Sequence, residues 1–172
     1  YLKSLGMIGE ARHFEPFWYS RIAQLTQRSN QFNLRTVRYT EDEIQRIAED
    51  RHYITLYYTL RDKFGDHGLV SLVILEKIAN DELFVDTWLM SCRVLKRGME
   101  EFVINHMVQT ASDYGFETIS SEYLSTTKNQ MVKDIYETMG FSRMSDHTFR
   151  LNISSFQKLK TYIQEEHKNG EK

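Results

Sequence analysis

The chain has 172 residues and a net charge of −2, with acidic and basic residues mixed along its length. This length suits one domain with a sizeable core, and the mixed charge argues against nucleic acid as a partner, because neutralising phosphates requires a basic face. The longest apolar run, residues 69–75, is too short to span a bilayer, so no membrane partner is expected. The single cysteine, Cys92, excludes an internal disulfide and fits a reducing compartment, so we expect a cytoplasmic protein.

The first half of the chain predicts a strand, two helices and a three-stranded meander. Pro16 stands where a first helical turn accepts proline, and Thr40 with Glu43 forms a capping box at the start of the second helix. Alternating and continuous apolar runs follow, joined by short turns, which favours antiparallel pairing. The predicted strands cover residues 7–14, 53–60, 69–75 and 83–91.

The second half predicts helices alternating with strands. Apolar residues recur at helical spacing over residues 98–114 and again over residues 127–139. Gly115 and Gly140 follow these stripes, where the end of a helix favours a left-handed residue. The remaining predicted elements are a strand over 116–124, a strand or hairpin over 141–153, and a last helix capped by Ser154 and Gln157.

This order of elements predicts an α/β fold with a mixed, mostly antiparallel central sheet flanked by helices. Residues 1–153 form the predicted domain, and residues 154–172 a C-terminal helix and solvated tail of the same domain. The chain does not begin with methionine, so we expect it to be a fragment of a longer protein or a processed one.

Basic residues and a glycine occupy the predicted turn at residues 93–98, between a strand and a helix. The N terminus of a helix presents unpaired N–H groups and the positive end of its dipole, so an anion is a suitable ligand there. The alternative is an ordinary strand–helix loop with solvated lysine and arginine, because short glycine-containing patterns also occur by chance.

Two local patterns in this order of elements resemble the GNAT acyltransferases. GNAT proteins place an Arg/Gln-x-x-Gly-x-Gly/Ala turn between the fourth strand and the third helix, where it holds the pyrophosphate of coenzyme A. Arg93 and Gly98 match this turn, whereas Lys96 stands where its first glycine usually is. The second pattern, Asn-x-x-Ala-x-x-x-Tyr-x-x-x-Gly-Phe, matches at Asn129, Tyr136, Gly140 and Phe141, with Val132 at the alanine position. The resemblance implies that cofactor is bound by Arg93, Val94, Leu95, Lys96, Arg97, Gly98, Met99 and Asn129.

The resemblance also implies catalytic roles. Tyr136 would protonate the leaving thiolate of coenzyme A, since a tyrosine keeps its proton at neutral pH; the alternative is a core tyrosine on an amphipathic helix. Asp86 and Glu122, on neighbouring predicted strands, are rival general bases, although Asp86 also suits a structural ion pair. Asn129 suits a helix cap equally well. Lys96 either adds a cation to the phosphate site or weakens it by blocking close approach.

A polar stretch over residues 27–35 lies between the first two predicted helices, which in a GNAT fold is near the acceptor side of the cleft. Its amide side chains are suited to hydrogen-bond an acceptor. The alternative is an ordered loop anchored by Phe32 and Leu34. The candidate acceptor-binding residues are Gln27, Asn30, Gln31 and Asn33.

The sequence also bears on two other kinds of site, a cysteine nucleophile and a metal site. Cys92 next to Arg93 is either a thiolate able to accept an acyl group or a buried structural cysteine. The six histidines show no metal-ligand spacing and there is no cysteine pair, so no metal is expected.

A closer resemblance is carried by residues 21–44 and by residues 91–105, and it covers about the whole chain. These stretches resemble FkbH-like proteins, in which a HAD-type phosphatase-like domain precedes a GNAT-like domain. Such proteins are associated with loading a glyceryl unit onto an acyl carrier protein, on the way to methoxymalonyl extender units. The HAD motif, Asp-x-Asp followed by threonine, is absent from this chain.

This resemblance implies an acyl carrier protein and a HAD-type domain of the same polypeptide as partners. The cofactor would be acetyl-CoA or another acyl-CoA, or the phosphopantetheine of the carrier. Three functions stay open: a thioester-binding acyltransferase, a catalytically inactive docking module for the carrier or the HAD-type domain, and a purely structural domain.

Overall fold

Eight strands and four α-helices make up the part of the chain that the computed structural model describes, residues 1–167. The strands are β1 (Ile8–Arg12), β2 (Tyr53–Asp62), β3 (Gly65–Ala79), β4 (Glu82–Met90), β5 (Thr118–Glu122), β6 (Ser142–Arg143), β7 (Thr148–Asn152) and β8 (Gln164–Glu165). The helices are α1 (Tyr19–Arg28), α2 (Glu41–Glu49), α3 (Met99–Asp113) and α4 (Ile135–Thr138). Within residues 1–167, no helix is long and apolar enough to cross a membrane.

One mixed sheet contains all eight of these strands, in the order β6-β7-β5-β4-β3-β2-β1-β8. Neighbouring strands pair antiparallel except for two parallel pairs, β4 with β5 and β1 with β8. The central strands β2, β3 and β4 form the predicted meander. The predicted fold class, an α/β fold with a mixed and mostly antiparallel sheet, is therefore confirmed.

Two hydrophobic clusters cover the sheet, one for each group of helices. The side chains of β2 divide between them: Ile54, Leu56 and Tyr58 join the cluster that includes α3 and α4, and Tyr57 joins the cluster that includes α1 and α2. This division follows the alternation read from the sequence, because successive side chains of a strand point to opposite faces.

Local signals placed several helix ends correctly. The capping box forms as predicted, with the Glu43 N–H donating to the Thr40 hydroxyl at 3.2 Å and the Thr40 N–H to the Glu43 carboxylate at 3.0 Å. Gly115 and Gly140 both have positive φ. The helix predicted over residues 127–139 is broken into a 3₁₀ turn and the short α4. The side chain of Asn129 bonds to the preceding backbone there, which competes with helix formation.

The C-terminal helix predicted after Ser154 is wrong. Residues 153–155 form a 3₁₀ turn, and the chain then runs to β8, which pairs parallel with β1. Asn105 of α3 bonds to both the N–H and the carbonyl of Leu159, each at 2.8 Å. These tertiary partners satisfy backbone groups that a helix would otherwise pair. Of the predicted solvated tail, residues 168–172 lie outside the described residues.

Candidate functional site

The strands β4 and β5 separate after a short stretch of pairing. They pair only at Glu82–Phe84 and Thr118–Ser120, although β4 continues to residue 90. A register shift against β3 leaves Asp86 as an extra residue on β4, and such a bulge bends a strand away from its neighbour. A gap therefore opens between β4 and β5 beyond their third paired residue.

The loop between α1 and α2 lies in this gap; we call residues 31–36 the inserted segment. Asn33 forms an isolated antiparallel bridge with Leu89 of β4, and the Met90 N–H donates to the Phe32 carbonyl at 3.3 Å. Phe32 is 2 % exposed and Asn33 is 1 % exposed. The inserted segment thus occupies the edge of β4 that faces β5.

Asn129 fastens the inserted segment on the other side of the gap. Its amide group donates to the carbonyls of Asn33, at 3.0 Å, and Leu124, at 2.9 Å. The Leu124 N–H, just beyond β5, donates to the Leu34 carbonyl at 2.9 Å. The side chain of Asn129 makes no helix-cap bond, so the capping alternative is wrong. Its cofactor-binding role stays a prediction.

Arg35 bridges the two separated strands. Its guanidinium donates to the Asp86 carbonyl at 2.7 Å, lies 3.3 Å from the Asp86 carboxylate, and donates to the Glu122 carboxylate at 3.1 Å. The Asp86 carboxylate also accepts from the hydroxyls of Tyr39, at 2.7 Å, and Thr87, at 2.8 Å. Burial, followed by the bond to Asp86, raises the pKa of Tyr39 well above its ordinary value, so the phenol stays a donor. The structure therefore brings the two candidate general bases, Asp86 and Glu122, close together, with the Arg35 guanidinium between their carboxylates.

Tyr136 lies on the other face of the gap, beside Ser121. Burial raises the pKa of Tyr136 above its ordinary value, while the nearby Arg35 and the Ser121 hydroxyl oppose that shift. The Trp88 ring lies 5.9 Å from the Tyr136 ring, and the Phe32 ring lies 5.0 Å from the Trp88 ring. A chain of aromatic contacts thus runs from the inserted segment to the candidate acid, whose catalytic role stays a prediction.

Buried polar atoms without a hydrogen-bond partner collect around this gap. Within residues 1–167 they are Thr36 Oγ1, Trp88 Nε1, Glu100 Oε1, Ser121 Oγ and the Tyr136 hydroxyl. Such an atom costs about 1–3 kcal/mol, because its bond to water is lost without replacement. Four belong to the inserted segment or to side chains of the gap, and the fifth lies at the turn before α3.

The turn before α3 keeps the backbone shape of a glycine turn. Lys96 has a φ of 61°, and Gly98, the residue before the first turn of α3, has a φ of 86°. A non-glycine residue pays about 1–2 kcal/mol for this conformation. The turn thus holds a lysine in a backbone conformation that glycine adopts more readily.

The anion-binding groups of this turn are partly used by the chain itself. Glu100 lines the same depression as Lys96 and Gly98, and the backbone N–H groups of Lys96 and Glu100 act to lower the pKa of its carboxyl. Burial and the neighbouring Glu101 raise the pKa of Glu100, and the two N–H groups counter only part of that shift. A carboxylate at this position repels a phosphate that approaches the same N–H groups.

The arginines of the turn also have partners. Arg97 donates to the fully shielded carboxylate of Asp62 at 3.0 Å, and His67 contacts the same carboxylate at 3.0 Å. Burial raises the pKa of Asp62, but His67, a backbone N–H and Arg97 outweigh it and hold that pKa below its usual range. Arg93 is exposed and bonds to Ser91 and to the His67 carbonyl. Of the remaining candidates, Val94 and Met99 are buried and Leu95 packs against the core.

The four candidate acceptor-binding amides serve the loop that carries them. Gln27 and Asn33 bond to nearby backbone groups, and Asn30 accepts from an arginine of the same loop. Gln31 accepts from the thiol of Cys92 at 3.0 Å. Cys92 is exposed, so the buried structural alternative is wrong. The structure does not gather the four amides into one site, and their acceptor role stays a prediction.

Sequence reasoning missed Arg35, Tyr39 and Glu100. Arg35 and Tyr39 lie in a stretch with no helical or strand period, so nothing local shows which strands they reach. The position of Glu100 could have been noticed in the sequence. An acidic residue in the first turn of a helix interacts favourably with the positive end of the helix dipole, which is the same feature that would attract an anion. Within residues 1–167, no cluster of histidine, cysteine and carboxylate side chains is able to hold a metal ion.

Solved structures with this architecture are acetyltransferases. The ribosomal-protein-S18-alanine N-acetyltransferase of Escherichia coli matches with a TM-score of 0.63 and 14 % identity, covering 85 % of this chain and 94 % of that one. A spermidine N-acetyltransferase of Vibrio cholerae, solved with CoA and spermine, matches with the same score and identity over 85 % and 96 %. The GNAT domain of S. lividans PAT has a TM-score of 0.63 and 14 % identity over 83 % and 89 %. The chain therefore has the GNAT acetyltransferase fold.

No protein-family model and no curated protein sequence matches the chain. The GNAT fold implies coenzyme A, but the residues of the gap do not fit it in this conformation. The edge of β4 is bonded to the inserted segment, and the Glu100 carboxylate lies against the turn that would face a diphosphate.

Proposed function

We propose that this chain is the GNAT-fold domain of an FkbH-like protein, and that it docks an acyl carrier protein rather than using free coenzyme A as an acyl donor. The observation that carries the proposal is the inserted segment on the edge of β4. A pantetheine arm lying along β4 would need the same backbone groups. Without that edge coenzyme A lacks a groove along β4, and the Glu100 carboxylate opposes a phosphate in the depression beside the turn, even though Lys96 also lines it.

The choice of partner rests on the resemblance to FkbH-like proteins. The stretch that carries this resemblance, residues 21–44, contains the whole inserted segment and the residues Arg35 and Tyr39 that fix it. One of the two stretches that carry the resemblance is therefore the part that closes the gap. This link supports a function specific to FkbH-like proteins over general acetyl-CoA chemistry.

Titration calorimetry with an acyl carrier protein tests the proposal. We expect this domain to bind the carrier both with and without its phosphopantetheine arm, because a docking surface contacts the folded carrier protein and not the arm. We also expect no rise in Tm with coenzyme A or acetyl-CoA, since a ligand of the folded state at 100 times its Kd would stabilise it by about 2.7 kcal/mol.

Two results would overturn this assignment. A clear rise in Tm with acetyl-CoA, together with thiol release, would make the domain a coenzyme A-dependent enzyme. Binding to a HAD-type domain but not to the carrier would move the docking function to the other implied partner.

A second candidate function is thioester-dependent acyl transfer. It is favoured by buried hydrogen-bond donors of Trp88 on β4, Ser121 on β5 and Tyr136 on α4, which have bonding capacity to spare. Thiol release from an acyl-loaded carrier that is lost in Tyr136→Phe but kept in Tyr123→Phe would support this candidate. Equal release by both variants would count against a role for Tyr136.

A further inference from the structure

We infer that the inserted segment, residues 31–36, is a self-inhibitory closure of the gap between β4 and β5, and that Arg35 is its latch. The inference concerns the state of the gap and does not depend on carrier docking. It explains why a chain with the GNAT fold presents no open groove at the separated strands. Four structural observations support the inference.

The inserted segment fills both sides of the gap at once. On one side, the backbone of Phe32 and Asn33 takes the edge of β4. On the other, the Arg35 guanidinium lies between the carboxylates of Asp86 and Glu122, where a cationic acceptor would otherwise meet the two candidate bases. The inserted segment thus occupies the place of an extended ligand on β4, and its Arg35 occupies the place of a cationic acceptor.

The closed conformation is strained at the end of the inserted segment. Thr36 has a φ of 56°, and this conformation is unusual for a β-branched residue. Among residues 1–167 the only other non-glycine residue with positive φ is Lys96, at the turn before α3. A residue in this conformation is strained and persists only where its surroundings enforce it, commonly at ligand clamps and switch regions.

The closed conformation also leaves hydrogen bonds unmade beside the inserted segment. Trp88, Ser121 and Tyr136 are each at most 2 % exposed, and Trp88 Nε1 has no partner among the described residues. The Ser121 and Tyr136 hydroxyls lie close to each other, so at most one of their two O–H groups is satisfied by the pair. The Thr36 hydroxyl, like Trp88 Nε1, has no partner among the described residues. An extended chain bearing carbonyl groups would supply the missing acceptors, so the open, ligand-bound state recovers energy that the closed state does not.

Apolar burial and one ion network oppose opening. Phe32 and Leu34 are buried, and removing their apolar surface from water stabilises the closed state. Arg35 contributes the polar hold, and its removal leaves two carboxylates on neighbouring strands without their shared cation. Like charges repel, so loss of Arg35 acts in the direction of a wider gap. Arg35 is therefore the residue whose replacement removes the polar hold while Phe32 and Leu34 stay in place, although its guanidinium also stacks on the Phe84 ring at 4.9 Å.

The test is pantetheine binding to Arg35→Gln, with Arg38→Gln as the matched control. Arg38 lies in the same loop, but its guanidinium bonds to Thr26 of α1 and to Ser29 and Asn30 just after that helix, and not to β4 or β5. Binding is followed by the fluorescence of Trp88 in a Trp18→Phe background, which leaves one tryptophan of the two in the chain. We expect Arg35→Gln to bind pantetheine at least about tenfold more tightly than the wild type, and Arg38→Gln to match the wild type. If folded Arg35→Gln binds pantetheine no better than Arg38→Gln, the latch does not exist.

Hydrogen exchange in the wild type tests the same inference without any substitution in the gap. The Met90 N–H is bonded to the inserted segment, and the adjacent Ser91 N–H is bonded to Val70 of β3 at 2.7 Å. Opening of the inserted segment alone exposes the Met90 amide but not the Ser91 amide. We therefore expect the Met90 amide to exchange at least about tenfold faster than the Ser91 amide. Equal exchange of the two amides would show that the segment leaves β4 only on global unfolding. Neither experiment contains carrier protein, so its failure is distinct from a failure of carrier docking.

Discussion

Arg35 and Glu122, 87 residues apart in sequence, form an ion pair with a distance of 3.1 Å between Nε and Oε1. This pair ties the loop before α2 to the last residue of β5. Because Arg35 reaches Asp86 as well, one side chain connects both separated strands with the segment between them. The stability of the candidate site is thus coupled to that of the loop.

Replacement of Asp86 tests the ion network. Asp86→Ala leaves the Arg35 guanidinium and the Tyr39 hydroxyl without their shared partner in a mostly buried setting. We expect a loss of about 2–4 kcal/mol in the free energy of unfolding, measured by urea denaturation. The exposed Asp146→Ala is the control and should change stability by less than about 0.5 kcal/mol. Equal effects of the two substitutions would contradict the network.

Tyr136 and Tyr123 should respond differently to loss of the hydroxyl. The Tyr136 hydroxyl has no partner among the described residues, whereas that of Tyr123 donates to the Asn129 side chain at 3.0 Å. Tyr136→Phe should therefore leave the Tm unchanged or raise it, and Tyr123→Phe should lower stability by about 1 kcal/mol. Thermal unfolding of both variants checks this. A larger loss for Tyr136→Phe would show that its hydroxyl is bonded in solution.

Lys96→Gly should stabilise the chain. Glycine adopts the φ of 61° at this position without the steric cost that a Cβ brings, although it loses more backbone entropy on folding. We expect a net gain of about 0.5–1 kcal/mol in chemical denaturation. Gly98→Ala is the contrasting variant, because its Cβ would lie 2.8 Å from the Thr161 hydroxyl at a φ of 86°, and it should destabilise. A loss of stability in Lys96→Gly would mean that the lysine side chain makes compensating contacts.

His106 should make stability depend on pH. Its ring bonds to the Tyr58 hydroxyl and lies 3.8 Å from the Glu165 carboxylate, and burial, followed by His13 and His167, lowers its pKa to about 4. Between that value and the ordinary pKa of about 6.5, the unfolded chain binds the proton and the folded one does not. Stability should therefore fall as the pH drops through this range, by up to about 3 kcal/mol.

Urea denaturation at pH 7 and pH 4.5 measures that slope. His106→Gln retains a polar partner for Tyr58 but no titrating ring, and its stability should change less between the two values. An imidazole of His106 that titrates near its ordinary value by NMR would refute the prediction.

The sequence predicted the meander, the capping box at Thr40 and the turns at Gly115 and Gly140, because each depends on residues close together in the chain. The bond between Asn33 and Leu89 could not be predicted, since the loop carries no period that marks it for a strand edge. The last segment misled for a related reason. Its apolar residues recur at helical spacing, but the edge of β1 and Asn105 offered stronger partners than an isolated helix does.

The pairing of β8 with β1 bears on how this domain should be delimited. Residues 156–165 lead to the outer edge of the sheet, where β8 pairs with β1. Ile163 is buried in the core, and the Thr161 hydroxyl donates to the carbonyl of Gly98, the residue before α3. A chain cut at residue 155 would uncover an unprotected strand edge, which promotes intermolecular β-pairing. Expression trials that end there should yield aggregates, whereas those that end after β8 should yield monodisperse protein.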